Sequence, residues 1–281
     1  MKTLIDGQGI AKKINSETKA QATKLRKQGI VPKLAVVLVG NNKASEVYVR
    51  QKQAIAKSVG VDFSLHKIPS AITLNRFKQI IKKIQTDAKL SALIVQLPLP
   101  EKLYTRELLN VIRPNLDIDF LTDANLGTLI SKTNTLEPPT AGARLEILRS
   151  LKIFPKGKQV VVIGAGALVG RPLALLLLNE RATVTVCNTA TQNLPELCKQ
   201  ADIIMSCVGK RNLVRGNMVK RGAVVIDAGF VFENNKVSGD VNVIEVAKVA
   251  RYVTPTPGGV GPITVAKLLK NVVLNAERFK K

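Results

Sequence analysis

The strongest constraint on the fold lies in residues 159–179. Gln159-Val-Val-Val-Ile163 is a short apolar run rich in β-branched residues. Gly164-Ala165-Gly166 follows at once, and an apolar helical pattern then runs over 168–179. A strand that enters a glycine-rich turn and leaves as a helix opens a parallel strand–helix–strand unit. Pro172 is tolerated only because it falls in the first turn of that helix. Three more short apolar runs follow: Thr183–Cys187, 202–206 and 223–227. Strand–helix alternation at this spacing predicts a doubly wound parallel sheet with right-handed crossovers.

The first half alternates in the same way. A polar-rich helix is predicted over 9–28. Residues 33–40 are apolar on both faces, as in a strand buried in a parallel sheet. Ser45 is placed to cap a helix that closes at Gly60. Asp62–Ile68 reads as a strand and 74–88 as a helix. Residues 91–96 form another buried strand, stopped by Pro98 and Pro100. Segment 113–141, with Pro114 and Pro138-Pro139, has little periodicity and reads as loop and linker. The last helix is predicted over 264–279. These signals predict an α/β chain of two α/β domains, the second Rossmann-type. The first domain takes 1–138 plus 264–281, and the second takes 139–263.

Composition narrows the function. Of 281 residues, 46 % are apolar, enough for a sizeable core, while aromatics are 4 % with no Trp. No apolar run approaches the roughly 18–20 residues of a membrane span. Asp6 comes too early for a secretory leader, so a cytoplasmic setting is expected. Cys187, Cys198 and Cys207 lack metal-ligand spacing and His66 is the sole histidine, which argues against structural zinc or a disulfide scaffold. The formal charge of +23 is dispersed, without a long basic block or interleaved aromatics. It therefore reads as a solvated basic surface rather than a nucleic-acid site.

Candidate residues follow from these positions. Gly164 lets the chain turn, and Gly166 lets a diphosphate approach backbone N–H groups at the helix N-terminus. Gly170 falls one residue later than in G-x-G-x-x-G. The next strand ends at Cys187-Asn188-Thr189-Ala190-Thr191, without an acidic residue for ribose hydroxyls or an Arg for a ribose phosphate. NAD and NADP both remain open on this reading. Tyr48 and Lys52 share a helix face. Lys52 is a general acid or base if burial lowers its pKa, and otherwise a solvated lysine beside a packed tyrosine. Gln96 ends a buried strand, where parallel sheets place ligands. Asp117 and Asp119 read most simply as solvated loop carboxylates. Asp227 caps a turn or faces the nucleotide crevice. Thr254-Pro-Thr-Pro-Gly-Gly-Val-Gly-Pro-Ile-Thr264 has the strict backbone geometry of a ligand loop.

Together these motifs resemble the methylenetetrahydrofolate dehydrogenase/cyclohydrolase family over nearly the whole chain. The likeness is carried by VQLPLP (95–100), PGGVGPIT (257–264), Tyr48-Val-Arg-Gln-Lys52, Val169-Gly-Arg-Pro172, GAVVIDAG (222–229) and Gly239-Asp240-Val241. The resemblance implies oxidation of methylenetetrahydrofolate with NAD(P)+, NADP first and NAD as alternative. Hydrolysis to formyltetrahydrofolate then follows, in a cleft between two domains of a homodimer. It implies that Lys52 moves protons in hydrolysis and that Gln96 tunes it. It also implies that Tyr48 packs on the folate and that Asp119 grips the pterin. On the same resemblance, Leu97, Pro257, Gly258 and Gly259 are expected to line the folate. It likewise implies that Gly164, Ala165, Gly166, Thr189 and Phe230 meet the cofactor. Polyglutamylated folates would be drawn by the basic surface. Where the family commonly has Lys and Gly around the Asp-x-Asp, this chain has Leu116 and Phe120.

Overall fold

The computed structural model describes residues 3–229, 231–233 and 236–278. In chain order the elements are α1 (Gly7–Lys27), β1 (Lys33–Val39), α2 (Lys43–Val59), β2 (Asp62–Ile68), α3 (Leu74–Ile84), β3 (Ala92–Val95), α4 (Arg106–Leu109), α5 (Asp123–Ile130) and α6 (Pro139–Ser150). There follow β4 (Gln159–Ile163), α7 (Gly170–Asn179), β5 (Thr183–Cys187), α8 (Leu194–Gln200), β6 (Ile203–Ser206), β7 (Val224–Asp227), β8 (Val231–Glu233), β9 (Lys236–Ser238), α9 (Val243–Val246), β10 (Tyr252–Val253) and α10 (Val260–Arg278). No helix among the described residues is long and apolar enough to cross a membrane.

The chain divides into two compact units, Lys12–Pro139 with Val265–Lys281, and Met1–Ala11 with Thr140–Thr264. The sequence reading put residues 1–11 with the first domain. Here they group with the second, because Ile5 N–H donates to the Val253 carbonyl (3.0 Å) and Val253 N–H to that of Thr3 (2.9 Å).

The unit containing Lys12–Pro139 holds a parallel sheet of order β2-β1-β3. Nearly all of β1 and all of β3 are buried, which is why both read as unbroken Val/Ile/Leu/Ala runs. β1 has β2 on one side and β3 on the other, so chain order reverses at β1 and a crevice opens at the carboxyl ends of the strands. α2 begins where the Asn42 side chain accepts Ser45 N–H (3.0 Å); Asn42, rather than Ser45, is the cap. Gly60 closes it in the left-handed region (φ 83°). α3 stops at Ile84, earlier than the predicted 88. The expected linker contains α5, capped by Thr122, and the start of α6. Two buried asparagines of α10 tie down this linker. Asn271 Nδ2 donates to the carbonyls of Ile118 (3.2 Å) and Glu137 (2.9 Å), and Asn275 Nδ2 to those of Ser91 and Asn115 (both 2.7 Å).

The other unit holds a five-stranded parallel sheet of order β10-β7-β6-β4-β5. Here the order reverses at β4, so its carboxyl end is the switch point. Register places Ile163 opposite Cys187 and Ser206, and Ser206 opposite Asp227, so all of these strands end at one edge. β8 and β9 pair antiparallel.

Candidate active site

Two groups of candidate residues form, one in each unit. In the first, Lys52 on α2 reaches the carboxyl end of β3, where its Nζ donates to Gln96 Oε1 (2.9 Å). Gln96 Nε2 donates in turn to the Leu97 carbonyl (2.6 Å). That bond fixes the amide orientation: the nitrogen is committed to an acceptor, so the oxygen faces the lysine. Gln96 N–H also extends the ladder to Val37 O (2.8 Å), which anchors the side chain to the sheet. Lys52 is half-buried, and burial holds its pKa below the ordinary lysine range; the charge of Asp119 acts against that shift. Asp119 is raised, first by burial and then by Asp117, while Lys52 opposes the rise. Amine and carboxylate thus share one poorly solvated spot. Tyr48, one turn before Lys52, is half-buried, and burial raises its phenol.

Asp117 and Asp119 depart from solvated loop carboxylates. Asp117 is 2 % exposed. It accepts the N–H groups of Leu121 (3.0 Å) and Thr122 (2.9 Å), the Thr122 hydroxyl (2.7 Å) and Asn125 Nδ2 (3.1 Å). It is a structural post for the loop, which leaves Asp119 as the carboxylate beside Lys52. Phe120 closes the loop in the left-handed region at φ 59°, where a bulky side chain is strained, and its ring is buried. Phe120→Gly would relieve about 1 kcal/mol of backbone strain. It would lose about 3–5 kcal/mol of ring burial. Packing wins, so urea unfolding is expected to show a net loss of about 2–4 kcal/mol.

The second group lies at the carboxyl edge of the five-stranded sheet. Gly164 has φ 109°, and a Cβ there would lie 2.9 Å from the Cys207 carbonyl oxygen. A Cβ on Gly170 would run into the Gly164 carbonyl, so α7 packs against the turn only through a glycine. Nothing lies within 4 Å of a Cβ placed on exposed Gly166. One glycine serves the turn, one the packing, and one leaves room for an approaching group. No side chain caps the start of α7. Turn, open glycine and uncapped helix start fit a dinucleotide diphosphate. Ala165 is half-buried. Thr189 is exposed in the turn after β5, where Ala190 N–H donates to Asn188 Oδ1 (2.9 Å).

Pro257 is exposed, Gly258 is half-buried at φ 98°, and Gly259 is buried. They follow Thr254, whose hydroxyl accepts Asp227 N–H (2.7 Å). The Leu97–Pro98 and Thr256–Pro257 peptide bonds are cis. Phe230 lies outside the described residues.

Asp227 faces inward at this edge. It accepts Gly229 N–H (2.8 Å) and Val241 N–H (3.0 Å), and burial pushes its pKa up to about 6. Two features escaped the sequence reading. Asp240 accepts the Ser206 hydroxyl (2.7 Å) and the N–H groups of Val208 (2.8 Å) and Lys210 (2.7 Å). Arg144, on α6, is fully buried.

Known proteins share this fold and sequence pattern. Residues 5–119 match the tetrahydrofolate dehydrogenase/cyclohydrolase catalytic domain, and residues 138–280 match the NAD(P)-binding domain of the same family. The chain is 40 % identical over 276 residues to the bifunctional protein FolD of Moorella thermoacetica, covering 98 % of this chain and 99 % of that protein. The crystal structure of the bifunctional enzyme FolD from Campylobacter jejuni superimposes with a TM-score of 0.96 at 38 % identity, over 98 % of this chain and 99 % of that one. The Trypanosoma brucei methylenetetrahydrofolate dehydrogenase-cyclohydrolase, solved with NADP and an inhibitor, gives 0.93 at 36 %, over 98 % and 97 %. With both family domains present in order and the architecture shared end to end, the chain belongs to the tetrahydrofolate dehydrogenase/cyclohydrolase family.

Proposed function

We propose that this chain oxidises the methylene bridge of methylenetetrahydrofolate to methenyltetrahydrofolate and then hydrolyses that product to formyltetrahydrofolate. The observation that carries the hydrolytic half is the Lys52–Gln96 hydrogen bond beside Asp119. The methenyl group is a cation. Water adds to its carbon, one proton leaves, and the ring C–N bond opens to give the N-formyl product. Lys52 takes the proton from that water. A low pKa suits this work, because a neutral amine has a lone pair to offer. Gln96 holds one N–H of the amine and so directs the lone pair. Asp119, with two acceptor oxygens, is suited to the aminopyrimidine edge of the pterin, and Tyr48 to its ring face.

The carboxyl edge of the five-stranded sheet serves the oxidation. The nicotinamide, when bound, supplies the acceptor for the hydride. Gly164, Ala165 and Gly166 position the diphosphate, and Thr189 meets the adenosine ribose. The exposed turn after β5 holds no carboxylate to repel a 2′-phosphate, which supports NADP as the preferred partner. Leu97 and Pro257–Gly259 are assigned to the folate. A homodimer acting on polyglutamylated folates completes the reading.

The test follows methenyl absorbance with purified protein, methylenetetrahydrofolate and either NAD+ or NADP+. Methenyl formation with NADP+, followed by its decay to formyl product, is expected. No methenyl formation with either nucleotide would remove the dehydrogenase assignment. A pH profile tests the pairing of Lys52 and Asp119. The Asp119 charge raises Lys52, so Asp119→Asn lowers it further. The rising limb of the hydrolysis profile should move to lower pH, and the folate KM should increase about 10-fold, as for loss of a charged hydrogen bond.

A further inference from the structure

The five-stranded sheet reverses its order at β4, so the crevice at its carboxyl edge runs between the turn that leaves β4 and the segment that leaves β6. The glycine turn is one wall, and residues 207–212 are the other. Cys207 N–H donates to the Ile163 carbonyl (2.9 Å). The carbonyl and thiol of Cys207 lie against Gly164. Beyond Cys207 the wall has little packing of its own. Residues 208–212 are exposed, and the apolar side chain of Val208 with them. A backbone that burial does not hold keeps one course only where hydrogen bonds fix it.

Those bonds converge on Asp240, which is fully buried. Its Oδ2 accepts both the Ser206 hydroxyl (2.7 Å) and Val208 N–H (2.8 Å), the residues that flank Cys207. Its Oδ1 accepts Lys210 N–H (2.7 Å), farther along the wall. The carboxylate is itself locked in place. A Cβ on Gly229 would lie 2.0 Å from Asp240 Oδ1, and one on Gly239 would lie 1.9 Å from Asp227 Oδ2. Asp227 accepts the N–H groups of Gly229 (2.8 Å) and Val241 (3.0 Å). The two carboxylates therefore interlock across two glycines, and Asp240 has no room to swing away from its donors. This gives the Gly239-Asp240-Val241 motif a physical reason that the chemistry at Lys52 does not supply.

We propose that Asp240 is a positioning residue for the nucleotide. By gripping Ser206, Val208 and Lys210 it fixes the wall of the crevice that faces the glycine turn. The wall then stands in place before the dinucleotide arrives, and binding need not order it. This rests on the nucleotide reading of that edge.

The experiment pairs steady-state kinetics with amide hydrogen exchange, on the wild type and Asp240→Asn. Asparagine has one acceptor oxygen and one amino group. Whichever way it turns, the amino group faces a backbone N–H, that of Val208 or of Lys210. In the variant the amides of 208 and 210 should exchange faster, and the NADP+ KM should rise about tenfold, the worth of one hydrogen bond to a charged group. The kcat of oxidation should stay within a few-fold, and hydrolysis of added methenyltetrahydrofolate should not change. An unaltered NADP+ KM would overturn the proposal. So would an equal fall in oxidation and hydrolysis with a lower melting temperature, since Asp240 would then serve the fold at large. If Asp240→Asn does not fold, hydrogen exchange of the wild type decides. The amides of 208 and 210 should be protected without nucleotide and more so with NADP+. Exchange at free-chain rates, or no response to bound NADP+, overturns the proposal. A wild type that binds neither NADP+ nor NAD+ would instead overturn the nucleotide reading itself.

Discussion

Lys52→Gln is expected to lower hydrolysis of methenyltetrahydrofolate by about 10²–10⁴-fold, the usual worth of a positioned general base. Oxidation of methylenetetrahydrofolate should fall no more than a few-fold. Gln96 stays anchored by its own bonds to the Leu97 and Val37 carbonyls, so the sheet end is undisturbed and the proton acceptor alone is lost. Single-turnover assays of each step, with circular dichroism as a check on folding, separate the outcomes. Equal loss of both steps would mean that Lys52 positions the substrate instead of moving a proton.

Gly166→Val should give the reciprocal result. A Cβ at Gly166 meets nothing within 4 Å, so the fold has room for it and the melting temperature should barely move. The new side chain would stand where a diphosphate must approach the backbone. Losing that approach costs about 3 kcal/mol, the worth of two neutral hydrogen bonds or one to a charged group, so the nucleotide KM should rise about 100-fold. Hydrolysis of added methenyltetrahydrofolate needs no hydride acceptor and should continue unchanged. Loss of both activities with a lower melting temperature would show that Gly166 serves packing.

The strands were legible because their environments are. β2, β4 and β5 begin and end where the sequence places them, and β4 and β5 are runs rich in β-branched residues. The Lys52–Gln96 pair was legible as two positions: i,i+4 spacing from Tyr48 on one helix and the end of a buried strand. What escaped reading depends on partners far away in the chain. α5 has eight residues and a central glycine; its start is shaped by Asp117 and by Asn110, which accepts Asp123 N–H (2.9 Å). Pro138-Pro139 suggested a linker, yet Pro139 opens α6, where a missing N–H costs nothing. Asp117 looks solvated until the chain folds around it. Arg144 carries no local mark of its full burial, which comes only once the rest of its unit packs around α6.

β5 is an edge strand of its sheet, and Asn188, Thr189 and Ala190 sit exposed just beyond its tip. On the proposed reading, nucleotide choice can therefore be rewritten from the rim. If the adenosine ribose rests there, as proposed, an acidic residue grafted at that turn would favour the unphosphorylated dinucleotide, and an arginine its phosphorylated cousin, without touching the interior on which folding depends.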